Sequence, residues 1–120
     1  MLTTLEGESH SFGIQFCAVT ATHANVKVVN LGPSLPIHEI ANACESGVSS
    51  GLCVSISSYF SPVKALEMLK ALRTLVPSHL PIVIGGDGAP QGVEGVVTIK
   101  DVSDFYDWAQ ENAKPSITAL

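Results

Sequence analysis

Basic residues are scarce in this chain: six Lys and Arg stand against eleven Asp and Glu, for a formal net charge of −5 over 120 residues. The six are scattered along the chain, whereas a nucleic-acid surface needs a basic stripe to neutralise phosphates. Direct nucleic-acid contact is therefore not expected, and any action on DNA would need another chain or domain. Long apolar runs are also missing. Hydrophobic residues make up 46% of the chain, yet none of the runs approaches the roughly 20 residues that cross a bilayer, so no membrane association is expected. The amino terminus has no positive segment leading into an apolar one, so no secretory signal is expected. Cysteine is sparse and odd in number: Cys17, Cys44 and Cys53 lack metal-type spacing and lie in apolar segments. They read as buried free thiols, which fits a reducing compartment such as the cytoplasm. Internal repeats and low-complexity tracts are absent. These exclusions leave a globular module of one domain.

What is present is an alternation. Short apolar runs at residues 1–5, 26–31, 52–56, 81–84 and 96–99 predict five strands. Helical patterns fill residues 12–24, 36–46, 62–76 and 102–113, and residues 85–95 predict a loop with at most one helical turn. Ser61 before Pro62 reads as an N-cap followed by a proline at the first helical position; Pro36 reads as another helix start, and Asp101 and Ser103 are cap candidates. In the third helix, Val63, Leu66 and Leu69 with Met68, Leu72 and Leu75 predict a broad buried stripe. Near-continuous apolar strands such as Ile82-Val83-Ile84 suit a sheet covered on both faces, and right-handed crossovers then predict a doubly wound, flavodoxin-like α/β fold with parallel strand order 2-1-3-4-5. Residues 1–113 form the expected domain, and residues 114–120 an expected tail or linker.

In that order the loops after strands 1, 3 and 4 meet at one sheet edge, where ligands bind in open α/β folds. The first brings Glu8, Ser9 and His10, the third Ser55, Ser57 and Ser58, and the fourth Gly85, Gly86, Asp87 and Gly88. Hydroxyls and glycines after neighbouring strands leave a slot rather than a filled core. Glu8 stands close enough to His10 to bond one ring nitrogen and leave the other free. Gly7 and Gly13 flank the pair and allow close backbone approach. Each feature taken singly has an ordinary structural explanation: a surface histidine, a strand end, a turn. His23, His38 and His79 have no carboxylate placed as Glu8 is. Glu45, Asp101, Asp104 and Asp107 read as solvated helix faces, and Phe105 with Trp108 as last-helix core or a partner contact.

Taken together, Glu8-Ser9-His10-Ser11-Phe12-Gly13, Ser55-Ile56-Ser57 and Gly85-Gly86 resemble the cobalamin-binding domain family over nearly the whole chain. That family carries Asp-x-His-x-x-Gly, Ser-x-Leu and Gly-Gly after strands 1, 3 and 4. The separations of 45 residues from His10 to Ser55 and 30 from Ser55 to Gly85 suit it, as does Leu31-Gly32-Pro33 leading into a proline-started helix. The resemblance implies that cobalamin lies on the sheet edge with its nucleotide tail in the slot. It implies His10 as lower axial cobalt ligand, Glu8 orienting it, Ser55 beside the tail, and Gly85 and Gly86 admitting it. Protonation of His10 would then weaken binding at acid pH. Glu8 in place of Asp resembles the Glu-x-His-x-x-Gly variant of cobalamin-dependent photoreceptor repressors and related regulators; Ser57 in place of Leu implies a more polar slot.

The 120 residues include no helical bundle for the upper corrin face, no winged helix and no barrel. The expectation is therefore a cobalamin-binding sensor or regulatory module, with little catalysis of its own and a partner domain or protein over the corrin. Two alternatives remain open: a corrinoid carrier subunit of a mutase or methyltransferase, and a haem-binding or cofactor-free sensor of the same fold. Homo-oligomerisation is left open. A phosphoryl-accepting receiver is rejected because Ser55 stands where it needs a carboxylate, and a flavodoxin is disfavoured because the first loop offers His and Glu rather than a phosphate cradle.

Overall fold

The computed structural model describes residues 1–47 and 49–112. The expected tail, with residue 113 of the last expected helix, lies outside the described residues. The chain runs β1 (Leu2–Leu5), α1 (Phe12–His23), β2 (Asn30–Leu35), α2 (Ile37–Glu45), β3 (Leu52–Ser55), α3 (Pro62–Leu75), β4 (Ile82–Gly85), β5 (Val97–Thr98) and α4 (Val102–Asn112). The strands form one parallel sheet in the order β2-β1-β3-β4-β5. This is the expected flavodoxin-like α/β order, which places the ends of β1, β3 and β4 side by side.

Alternation along the strands divides the core. Leu5, Leu52, Val54, Ile82 and Ile84 join Ile40 of α2 and Ala65, Leu69 and Leu72 of α3 in one cluster. Leu2, Cys53 and Val83 face the other way, with Ile14 and Ala21 of α1 and Phe105 and Ala109 of α4. β1 is buried at all four positions, two of them threonine. The hydroxyls are satisfied, since Thr3 Oγ1 donates to the Gly32 carbonyl (2.8 Å) and Thr4 Oγ1 to the Glu8 carbonyl (2.6 Å). A buried hydroxyl without a partner would cost about 1–3 kcal/mol.

Two expectations need correction. The second strand starts at Asn30, not Val26. Residues before it close α1 instead: Asn25 has φ 62°, and Val26 N–H donates to the Ala21 carbonyl at 2.9 Å, a pairing that satisfies the last carbonyls of the helix. The true β2 includes Gly32 and Pro33, residues that argue against a strand in sequence but are tolerated on an edge, where no second neighbour needs an N–H. Its register against β1 shifts twice, and Ser34 N–H donates to Thr4 Oγ1 (2.7 Å).

On α3 the buried row is Ala65, Leu69 and Leu72, while Val63, Leu66 and Leu75 are exposed. The expected stripe was therefore too broad: it counted Val63, Leu66 and Leu75 as buried and passed over Ala65, which is fully buried. Ser61 Oγ caps the helix by accepting from Lys64 N–H (3.3 Å), with Pro62 at its start. Pro36 stands one position outside α2, where its carbonyl accepts from Glu39 and Ile40.

Candidate cofactor-binding site

The loop after β1 turns so that Glu8 enters the protein while His10 stays outside. Glu8 is 2% exposed, whereas the His10 side chain is 54% exposed. One carboxylate oxygen of Glu8 lies 2.8 Å from His10 Nδ1 and accepts the His10 backbone N–H at 3.1 Å. The other accepts the backbone N–H of Ser57 at 2.9 Å and its hydroxyl at 2.7 Å. Burial by itself would push the Glu8 carboxyl up, but the hydrogen bonds from Ser57, then those from His10, outweigh it and hold the group below the usual carboxylate range. In the neutral imidazole, an ionised Glu8 selects the tautomer with the Nδ1 proton toward the carboxylate and the lone pair on Nε2, which has no partner among the described residues. Tyr59 stacks on the imidazole with ring centroids 5.1 Å apart and planes at 13°. Stacking covers the ring's face and leaves the Nε2 edge free.

Beside this loop, between the amino-terminal ends of α1 and α4, a cavity of about 340 Å³ opens over the ends of β3 and β4. This lies at the lower end of the roughly 300–1,000 Å³ common for small-molecule sites. Phe12, Phe16 and Cys17 of α1, Val102 and Phe105 of α4, and Ile99 form its walls, and Ser55, Gly85 and Gly86 line the strand ends. Gly13 also lines it. A β-carbon on Gly13 would collide with Ser55 Oγ, so the glycine admits the serine. Gly86 has φ +99°, and a β-carbon there would meet the Ile56 carbonyl; at Gly88 it would meet the Ser57 carbonyl. These glycines let the fourth loop lie against the third. Lys100 ties the same loop down, its Nζ donating to the Gly86 (2.9 Å) and Ala89 (3.0 Å) carbonyls.

The site residues expected from sequence thus fall into two adjoining groups. Glu8, His10 and Ser57 form one hydrogen-bonded unit, and Gly13, Ser55, Gly85 and Gly86 belong to the cavity; Ser9 is exposed. Ser57 departs from the expected role. It is not among the residues lining the cavity, and its hydroxyl holds Glu8 instead of making the slot polar. Sequence reasoning missed Tyr59, Lys100 and the aromatic walls Phe12, Phe16 and Phe105. Tyr59 lies two residues past Ser57, but no local pattern marks a ring that packs across two loops. Asp101 is exposed, as expected, and as a cap candidate accepts from Ser103 N–H and Oγ (2.7 and 2.6 Å) at the start of α4; Ser103 pulls its carboxyl below the ordinary value.

No family model matches the chain, and no curated protein matches it significantly. Solved structures do share its fold. A chain of the methanol:cobalamin methyltransferase complex from Methanosarcina barkeri superposes with a TM-score of 0.77 at 17% identity, over 92% of this chain and 44% of the other. A cobalamin-binding protein from Desulfitobacterium hafniense DCB-2 gives 0.76 at 21% identity, over 92% and 56%. The monomethylamine corrinoid protein of Methanosarcina barkeri gives 0.72 at 12%, over 92% and 55%. The chain therefore has the fold of the matched regions of these proteins and spans about half of their length.

Proposed function

We propose that this chain binds a cobalamin, with His10 as its ligand to cobalt and the α1/α4 cavity receiving the nucleotide tail, and that it works by holding the cofactor. The observation that carries this reading is the Glu8–His10 pair, in which a buried carboxylate commits Nδ1 and leaves Nε2 available. Imidazole suits transition metals, and a carboxylate behind it raises its basicity. The residues fit the group on a second count: the glycine-floored cavity adjoins the histidine loop and has apolar walls. The fold shared with cobalamin-binding and corrinoid proteins supports the same reading. When bound, the cofactor supplies a cobalt centre with an exchangeable upper ligand. Glu8 holds the imidazole, Ser57 holds Glu8, and Tyr59 keeps the ring from rotating.

The module's output is proposed to be regulatory, on the Glu-x-His-x-x-Gly variant at Glu8, with a partner domain or protein covering the upper corrin face. A second reading, a corrinoid carrier, is favoured by the methyltransferase complex and the corrinoid protein among the similar structures. Ultraviolet-visible titration of the purified chain with methylcobalamin in the dark tests the binding. The expected result is saturable binding with the spectrum of a tail-off, histidine-ligated form; no spectral change, or binding of haemin instead, would overturn it. Methyl transfer on adding a corrinoid methyltransferase subunit would favour the carrier, whereas a cobalamin-dependent change in oligomeric state without transfer would favour the sensor.

A further inference from the structure

Cys17 and Cys53 are 36 residues apart in sequence, yet their sulfurs lie 3.9 Å from each other, the Cys53 thiol donating to Cys17. Both line the α1/α4 cavity, Cys17 from the helix wall and Cys53 from the sheet. Cys53 is 4% exposed and Cys17 half-buried, so a small oxidant meets Cys17 first. Cys44 is packed in the opposite core, between the sheet and α2/α3, where it cannot compete. We propose that Cys17 and Cys53 form a redox couple, Cys17 attacking and Cys53 resolving, whose disulfide pins α1 to β3 and restricts the cavity. The hydrogen bond from Cys53 lowers the Cys17 thiol below its ordinary range, while the same bond and burial raise Cys53 well above it. The charge thus falls on Cys17, and the thiolate is the nucleophile.

With hydrogen peroxide as oxidant, the Cys17 thiolate attacks one peroxide oxygen, the O–O bond breaks, and the departing hydroxide takes a proton from solvent to become water. Cys17 is then a sulfenic acid. The Cys53 sulfur bonds to the Cys17 sulfur, the S–O bond breaks, and the leaving hydroxide takes the Cys53 proton as a second water. Two thiols have lost two electrons to one peroxide, and an external dithiol reverses the reaction by exchange. The sulfurs move from 3.9 Å to about 2.05 Å in the disulfide. The Cys17 wall is thereby tethered to the sheet, in a cavity already near the lower size limit for a ligand. The effect on cobalamin rests on the proposed function; formation of the disulfide does not.

The test oxidises the reduced chain with hydrogen peroxide, removes the oxidant, alkylates the remaining thiols in denaturant and maps peptides by mass spectrometry. The expected result is a Cys17–Cys53 cross-linked peptide with Cys44 alkylated, reversed by dithiothreitol. In Cys53→Ser, dimedone should trap a sulfenic acid at Cys17, whereas in Cys17→Ser the same dose should leave Cys53 unmodified. Full alkylation of Cys17 and Cys53 after oxidation, or cross-links that favour Cys44 or a second chain, would overturn the couple. Methylcobalamin titrations of the two forms should show affinity about 10-fold weaker when oxidised, a modest packing penalty. Equal affinities would overturn the restriction of the cavity and leave the couple supported by its mapped peptide. No binding by either form would sink the corrinoid reading, and the restriction with it, again without touching the peptide result.

Discussion

Replacing Glu8 by Gln keeps the shape of the side chain but turns one of its two acceptor oxygens into a donor NH2. Every neighbour of that carboxylate is a donor or is fixed as one. Aimed at Ser57, the new NH2 faces a backbone N–H that lay 2.9 Å from an oxygen; aimed at His10, it faces a backbone N–H that lay 3.1 Å away. The imidazole and the hydroxyl can turn to accept, but the backbone groups cannot. At least one bond to a charged acceptor is lost, worth about 1.5–3 kcal/mol, in a site only 2% exposed. For a domain of this size that is a fall in melting temperature of about 5–12 °C. The pH dependence carries the same signature. Because the folded Glu8 titrates below its ordinary value of 4.5, its stabilisation is complete above that value and is lost as pH falls through the lower folded one. Melting temperatures of parent and variant should therefore differ most near pH 7 and converge in acid. The same variant should bind methylcobalamin about 10-fold to 100-fold more weakly, as for other carboxylates behind metal-bound histidines. A variant that melts within a degree of the parent across pH 3–7 would refute the reasoning about the buried carboxylate.

His10→Ala should change stability by less than about 1 kcal/mol, because the side chain is exposed and not part of the core, yet should abolish the histidine-ligated cobalamin spectrum; His23→Ala, His38→Ala and His79→Ala should leave it intact. Gly13→Ala drives a β-carbon into Ser55 Oγ and should cost about 1–3 kcal/mol by denaturant titration, with part of the loss recovered in the Gly13→Ala, Ser55→Gly double variant; independent additive losses would count against the contact. Arg73 donates to the Leu80 (2.9 Å) and Pro77 (2.7 Å) carbonyls beyond α3. Arg73→Met should destabilise by about 1.5–3 kcal/mol while leaving cobalamin affinity unchanged, and a loss of affinity at equal stability would contradict that separation.

The local code of this chain reaches a long way. Alternation of apolar runs with capped helical patterns determines a parallel doubly wound sheet, because β-branched strands buried on both faces have few other arrangements. Once the strand order is in hand, the Glu8, Ser55 and Gly85 loops necessarily meet. The sequence also places Glu8 and His10 within bonding reach of each other, since two residues of a tight loop leave little freedom. Where an element's character is not local, the reading failed or stopped. Asn30–Leu35 is a strand only because it sits on an edge, where Pro33 is harmless and the threonine hydroxyls of β1 repair an irregular ladder. Which residues of α3 are buried was decided by the core that Ala65, Leu69 and Leu72 share with the strands and α2. Ser57 under Glu8, Tyr59 against His10 and Cys53 beside Cys17 join residues 36 to 49 positions apart. Such pairings carry no sequence period, because they depend on how two loops, or a helix and a strand, settle against each other once the core has packed.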